Sequence, residues 1–205
     1  VMSIPAAQIG AFIKSDPALD RPDLQYHCLA ITGDLETALD GKMNEVCKTP
    51  GLTIGGAMLR PESKGYARAV NADPNAKPHI VHNYLAEEED RRLTILAMRM
   101  ARDIVATPSL SDIIEEEDLP GMQAMSDDEL LDFSKQYGTT LYHPIGTCRM
   151  GNDENAVVDP SLRLRGIDGL RVIDASIMPK LVSGNTNAAT IAIAEKGADL
   201  ILQSA

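Results

Sequence analysis

Two segments towards the C-terminal end of the chain carry the side chains best suited to chemistry. The first is Tyr142-His143-Pro144-Ile145-Gly146-Thr147-Cys148-Arg149-Met150-Gly151. Pro144 fixes the backbone just after His143, and the nearby glycines let the chain approach a ligand closely. An imidazole on such a stiff loop suits a general base, because imidazole titrates near neutral pH and its position is restrained. A packed loop histidine fits the same pattern. The second segment is Ser183-Gly184-Asn185-Thr186-Asn187, just ahead of an apolar helical stretch. The first N–H groups and the dipole of such a helix attract negative charge, and side-chain amides beside them suit a ligand that becomes anionic. Simple N-capping by Thr186 or Asn187 is the other reading.

The other candidates read as structural. His27, His79 and His82 sit in extended or loop contexts with no partner spacing. Cys28, Cys47 and Cys148 are far apart and form no CxxC pair, which argues against a zinc site or a disulfide framework. A reducing compartment, the cytoplasm, is the simplest expectation. Residues 112–132 hold nine Asp and Glu and no Lys or Arg. Their spacing is not that of a calcium loop, so a solvated surface is expected and no metal.

These segments need elements to hold them. Leu24–Ile31, Leu52–Leu59 and Tyr66–Val70 read as strands, the last two joined by a hairpin connection through Arg60-Pro61-Glu62-Ser63-Lys64-Gly65. A short extended segment follows at Pro78–Val81. Residues 87–106 form the clearest helix: acids fill the first turn, Leu93, Leu96, Ala97, Met100 and Ile104 share a face, and Pro108 stops it. Ser126 with Glu129 marks a capping box opening a second helix over 126–137. Leu170–Ile173 reads as a short buried strand. The last helix, about 187–203, is apolar all round in its first half and is expected to be buried.

The whole composition bounds the function. The 205 residues are 44% hydrophobic and 24% charged, as in ordinary globular proteins. The net charge of −11 and the 3% aromatic content exclude a nucleic-acid grip and electrostatic binding to an anionic membrane. Outside 112–132 the chain carries 21 acids against 19 bases, so the charge says little about a site. No stretch reaches the roughly 18 apolar residues of a membrane span, so no stable membrane insertion is expected. The opening Val1-Met2-Ser3-Ile4-Pro5 lacks the features of a signal peptide, and a start on Val1 fits a cut made upstream.

The two chemical segments, with what lies between them, resemble the C-terminal signature of the glucose–methanol–choline (GMC) family of FAD-dependent alcohol oxidases and dehydrogenases. The matching residues are His143-Pro144-x-Gly146-Thr147-Cys148-Arg149-Met150-Gly151, then Val158-Asp159-Pro160. Gly166-x-x-Gly169-Leu170-Arg171-Val172-x-Asp174-Ala175-Ser176-x-Met178-Pro179 comes next, then Ser183 to Ala188 and Ile193-Ala194-Glu195-Lys196. Looser likeness to the choline-dehydrogenase-like branch extends upstream through Gly10-Ala11-Phe12, Arg21 to His27, Arg60-Pro61-x-Ser63-x-Gly65, Asp73-Pro74 and Asn83-Tyr84-Leu85.

The resemblance implies an α/β (α+β) fold: a mixed substrate-domain sheet with flanking helices, plus the end of a Rossmann-like FAD domain. It implies most of a substrate-binding domain in residues 1–140 and a return to the FAD-binding domain in 141–205. His143 matches the family's catalytic base, and Asn185 the position that hydrogen-bonds the substrate oxygen. Asp174 and Ala175 match the contact with the FAD ribityl and pyrophosphate; Asn185, Thr186 and Asn187 match the helix start beside the flavin pyrimidine. The substrate is then a small alcohol, and hydride passes to flavin N5. The family's opening GxGxxG, which binds the ADP part of FAD, does not occur in this chain. A separate N-terminal FAD-binding polypeptide, or a cleaved N-terminal fragment, is therefore the expected partner. A lyase or other non-oxidative flavoprotein of the same fold, and a non-catalytic partner subunit, are the alternatives.

Overall fold

The computed structural model describes residues 7–33 and 50–203. Cys47 and the opening Val1–Pro5 segment lie outside the described residues. The chain divides into two compact units. One contains the described residues up to Leu59 together with Glu87–Thr139; the other contains Arg60–Ala86 and the described residues from Thr140 onward.

In the first unit, β1 (Ile9–Ile13), β2 (Leu24–Leu29) and β3 (Thr53–Met58) form an antiparallel sheet with β2 in the centre. Tyr26 faces Ala11 on one side and Gly56 on the other. Helix α1 (Glu88–Val105) packs on this sheet. Its Leu93 and Ala97 join Leu24 and Tyr26 in the core, and the Tyr26 hydroxyl donates to the Ala97 carbonyl at 2.8 Å. Gly56 permits this close approach, since a Cβ there would come within 3.0 Å of both Ala97 Cβ and the Tyr26 ring.

Helix α1 is followed by a short turn of helix α2 (Pro108–Ser111), with Pro108 inside its first turn, and then by α3 (Asp127–Tyr137). Ser126 caps α3 through a complete capping box with Glu129. The acidic stretch before α3 is tied down by arginines of α1. Arg102 holds Glu117 in a forked pair, with contacts of 2.8 to 3.2 Å, and also donates to the Ala124 and Gly121 carbonyls. Arg99 pairs with Asp127 at 2.6 Å. The remaining acids of that stretch present an ordinary charged surface.

The second unit holds β4 (Tyr66–Arg68) and β5 (His79–Val81), a 3₁₀ helix (Ala175–Ile177) and helix α4 (Asn187–Leu202). The expected hairpin between the third and fourth strands does not form: β3 pairs with β2, and β4 pairs with β5. The reason is local. Gly65 abuts the backbone of Val81 and His82 so tightly that any Cβ would overlap them, and Asn83 Nδ2 donates to the Lys64 carbonyl at 3.0 Å. The chain is thereby aligned with β5.

Leu170–Ile173 is extended but forms no strand. It makes a single bridge, Arg163↔Arg171, after a turn in which Gly166 and Gly169 take φ of +81° and +74°. Val158, Leu162 and Ile177 are buried at the centre of this unit, with Ile173, Ile193 and Leu200 packed against them. Helix α4 therefore docks by one face only. Its other face is open: Ile191 is 55% exposed and Leu202 75%, contrary to the burial expected of an all-round apolar helix. Among the described residues no helix is long and apolar enough to cross a membrane.

Candidate active site

The His143 loop is shaped by backbone conformation and zipped to its neighbour. Tyr142 and Gly146 take φ of +60° and +83°, which reverse the chain on either side of the His143-Pro144 pair. Beyond the loop, the Cys148 N–H donates to the Ser176 carbonyl at 3.0 Å and the Met150 N–H to the Ile177 carbonyl at 2.8 Å. The loop is thus bonded to the 3₁₀ helix. That helix is itself capped by Asp174, whose carboxylate accepts from the Ser176 N–H at 2.8 Å and from its hydroxyl at 2.5 Å. Arg149, also in the loop, forks onto Asp153 at 2.8 and 2.6 Å; this pairing holds the Asp153 carboxyl well below the usual carboxylate range.

Helix α4 delivers the second segment. Gly197 lies against Ile173, and Ile193 and Leu200 anchor the helix on the buried core. Its start brings two side chains onto the His143 ring. Asn185 Nδ2 lies 2.9 Å from His143 Nε2, and Thr186 Oγ1 lies 3.1 Å from His143 Nδ1. An amide nitrogen only donates, so Nε2 is the acceptor. A neutral imidazole then carries its proton on Nδ1, which donates to the Thr186 hydroxyl oxygen. The assembled site holds the His143 ring at both nitrogens, with the Asn185 amide at Nε2 and the Thr186 hydroxyl at Nδ1.

The structure brings His143, Asn185 and Thr186 together, although 42 and 43 residues separate the histidine from its partners. Asp174 and Ala175 begin the 3₁₀ helix to which the histidine loop is bonded, and Asn187 is the exposed first residue of α4. The contact of Thr186 with His143 is missed by sequence reasoning, which places Thr186 only among capping or cofactor-facing residues. Cys148 is a free, half-buried thiol. Among the described residues no cluster of His, Cys, Asp and Glu could hold a metal ion.

The family model for GMC oxidoreductase matches residues 61–194, which takes in both site segments. The chain belongs to the GMC oxidoreductase family. It is similar to an alcohol dehydrogenase [acceptor] of Pseudomonas putida, 42% identical over 197 residues, covering 96% of this chain and 35% of that protein. It is also similar to an oxygen-dependent choline dehydrogenase of Klebsiella pneumoniae, 40% identical over 194 residues, covering 95% and 34%.

Among solved structures, pyridoxine 4-oxidase from Mesorbium loti superposes with a TM-score of 0.85 at 31% identity, over 97% of this chain and 38% of that one. Formate oxidase from Aspergillus oryzae, described with a modification of its FAD, superposes with a TM-score of 0.80 at 29% identity, over 91% and 32%. The mixed α/β architecture is that of the C-terminal part of these enzymes. The chain spans about a third of the length of the curated relatives it matches.

Proposed function

We propose that this chain is the C-terminal portion of an FAD-dependent alcohol oxidoreductase that converts a primary or secondary alcohol to an aldehyde or ketone. The observation that carries the reading is the 2.9 Å contact between Nε2 of His143 and the Asn185 amide. An alcohol hydroxyl that displaces this direct contact donates its proton to Nε2 and takes the Asn185 N–H on its oxygen. His143 then removes the hydroxyl proton as the C–H bond gives up its electron pair, and a positively charged imidazolium remains. Asn185 holds the oxygen in line and favours the charge that builds on it. Thr186 accepts the Nδ1 proton in both protonation states of the ring.

FAD, when bound, supplies the two-electron acceptor that takes the hydride. The residues present fit it. The N-cap residue Thr186 makes no side-chain bond to the first turn of α4, and the dipole of that helix start favours an acceptor that gains negative charge. Asn185, Thr186 and Asn187 would hold the flavin pyrimidine side there, and Asp174 and Ala175 the ribityl and pyrophosphate side. The similarity to choline and alcohol dehydrogenases and to formate oxidase supports this assignment.

The partner is the N-terminal FAD-binding part of the same enzyme, as a second polypeptide or a cleaved fragment. The exposed apolar face of α4 and the one-third coverage of relatives support it. Residues 141–205 are assigned to the return to the FAD-binding domain and 1–140 mainly to substrate binding, on the resemblance to the family; the compact units cut across this boundary, since Arg60–Ala86 group with the residues from Thr140 onward. The free thiols of Cys28 and Cys148 support a reducing, cytoplasmic compartment.

The test is an anaerobic substrate screen on the complete protein, followed by flavin bleaching. Reduction by at least one alcohol is expected. If no alcohol bleaches the flavin while the bound cofactor is intact, the site performs proton transfer without oxidation and the proposal fails.

A further inference from the structure

Thr186 occupies the N-cap of α4 without capping it. Threonine favours that position because its oxygen can accept an N–H from the first turn, and this requires an extended backbone. Here the residue has φ −80° and ψ −10°, and its side chain makes no capping bond. Its hydroxyl is instead turned onto His143 Nδ1 at 3.1 Å, and the residue is only 8% exposed. A cap of this kind ordinarily stabilises a helix. At this position the hydroxyl serves the histidine instead of the helix.

We infer that Thr186 is a positioning residue for the proposed oxidation: its hydroxyl oxygen holds the His143 proton on Nδ1 and so keeps Nε2 free to act as the base. This rests on the reading of His143 as the base. The physical case is a choice between tautomers. Without an acceptor at Nδ1, the neutral ring can carry its proton on Nε2, where it cannot take a hydroxyl proton. Asn185 disfavours that tautomer by presenting N–H to Nε2, and the Thr186 hydroxyl gives the Nδ1–H of the remaining tautomer its acceptor. Both partners are neutral, so the effect is one of orientation and tautomer. Thr186 also fixes the ring plane, because the ring is held at both nitrogens.

The experiment compares Thr186→Val, Thr186→Ser and His143→Ala in the complete FAD-loaded enzyme, with flavin content and melting temperature checked for each. Valine keeps the shape of the side chain and removes the acceptor. Thr186→Val is expected to lower kcat by about tenfold or more with KM changed by less than about threefold. Thr186→Ser, which keeps the hydroxyl, is expected to recover most of the lost kcat. If Thr186→Val retains kcat within about twofold while His143→Ala is inactive, the positioning role is wrong and the base assignment stands. If Thr186→Ser is as impaired as Thr186→Val, the hydroxyl is not the operative group and the inference is overturned. If His143→Ala itself retains activity, the base reading fails and this inference fails with it.

Discussion

Gly197 in the middle of α4 lies directly against Ile173, so that a Cβ on the glycine would overlap Ile173 Cγ2 and come within 2.8 Å of Cδ1. The contact docks the helix on the extended segment that leads into Asp174. It thereby sets where the start of α4 places Asn185 and Thr186. An exposed helical glycine usually gains stability when replaced by alanine, by up to about 1 kcal/mol. Here overlap with a branched side chain outweighs that gain. Gly197→Ala is expected to cost about 1–3 kcal/mol and to lower turnover together with stability, measured by thermal unfolding and alcohol oxidation of the complete protein.

The capping box of α3 offers a local test. Ser126→Ala removes the acceptor for the Glu129 N–H and is expected to cost about 1 kcal/mol. The Glu129 carboxylate accepts from the Ser126 and Met125 N–H groups, which hold its pKa below the usual value. Its contribution is therefore present above the ordinary carboxylate range and lost as pH falls through the lowered value. Melting curves at neutral and acid pH check both points: the difference between Glu129→Gln and the parent should shrink on acidification.

Tyr26 gives the opposite limb. Its ring is fully buried, and burial, aided by the negative charge of Asp103, pushes the phenol up to about 12 from 10. The folded state thus keeps the proton that the unfolded chain begins to lose near pH 10. Stability from this group is complete below pH 10 and is lost between about 10 and 12, by roughly 2–3 kcal/mol. Tyr26→Phe removes that alkaline dependence and also the bond to the Ala97 carbonyl. Equilibrium unfolding of the complete protein from pH 8 to 11.5 should show the parent losing stability more steeply than the variant.

The open face of α4 bears on the proposed N-terminal partner. The apolar helix leaves Ile191 and Leu202 exposed, a face that such a partner would cover. The 205-residue chain purified by itself is expected to be colourless and to unfold without a cooperative transition. Adding an N-terminal portion that carries GxGxxG should give a yellow, cooperatively folded complex. A yellow, cooperatively melting chain without that portion would overturn the expectation.

What was legible in the sequence was what short-range chemistry decides. The capping box of Ser126 and Glu129, the acid-rich first turn of α1 and the stop near Pro108 were all readable, because each acts within a few residues. The pairing of β3 was not readable. Its partner β2 is chosen by packing of Tyr26 and Gly56 under α1, not by the residues that follow β3. Strand β1 was also missed: its alternation is weak, with Ile9 and Phe12 both exposed.

At the site, the residue types and loop character around His143 pointed to a base, and the amides ahead of α4 to a polar ligand. Their juxtaposition was not readable from spacing. It depends on the bonds of the histidine loop to residues 176 and 177 and on the Gly197–Ile173 contact, which together close a gap of more than forty residues.

The most direct test of the central claim is the rate of anaerobic flavin reduction by a substrate alcohol in the complete enzyme, with and without His143→Gln. Glutamine retains polarity and approximate size but cannot take the hydroxyl proton. The reduction rate is expected to fall by about 10²–10⁴-fold with FAD still bound. A variant that reduces its flavin within a few-fold of the parent rate would contradict the assignment of His143 as the base.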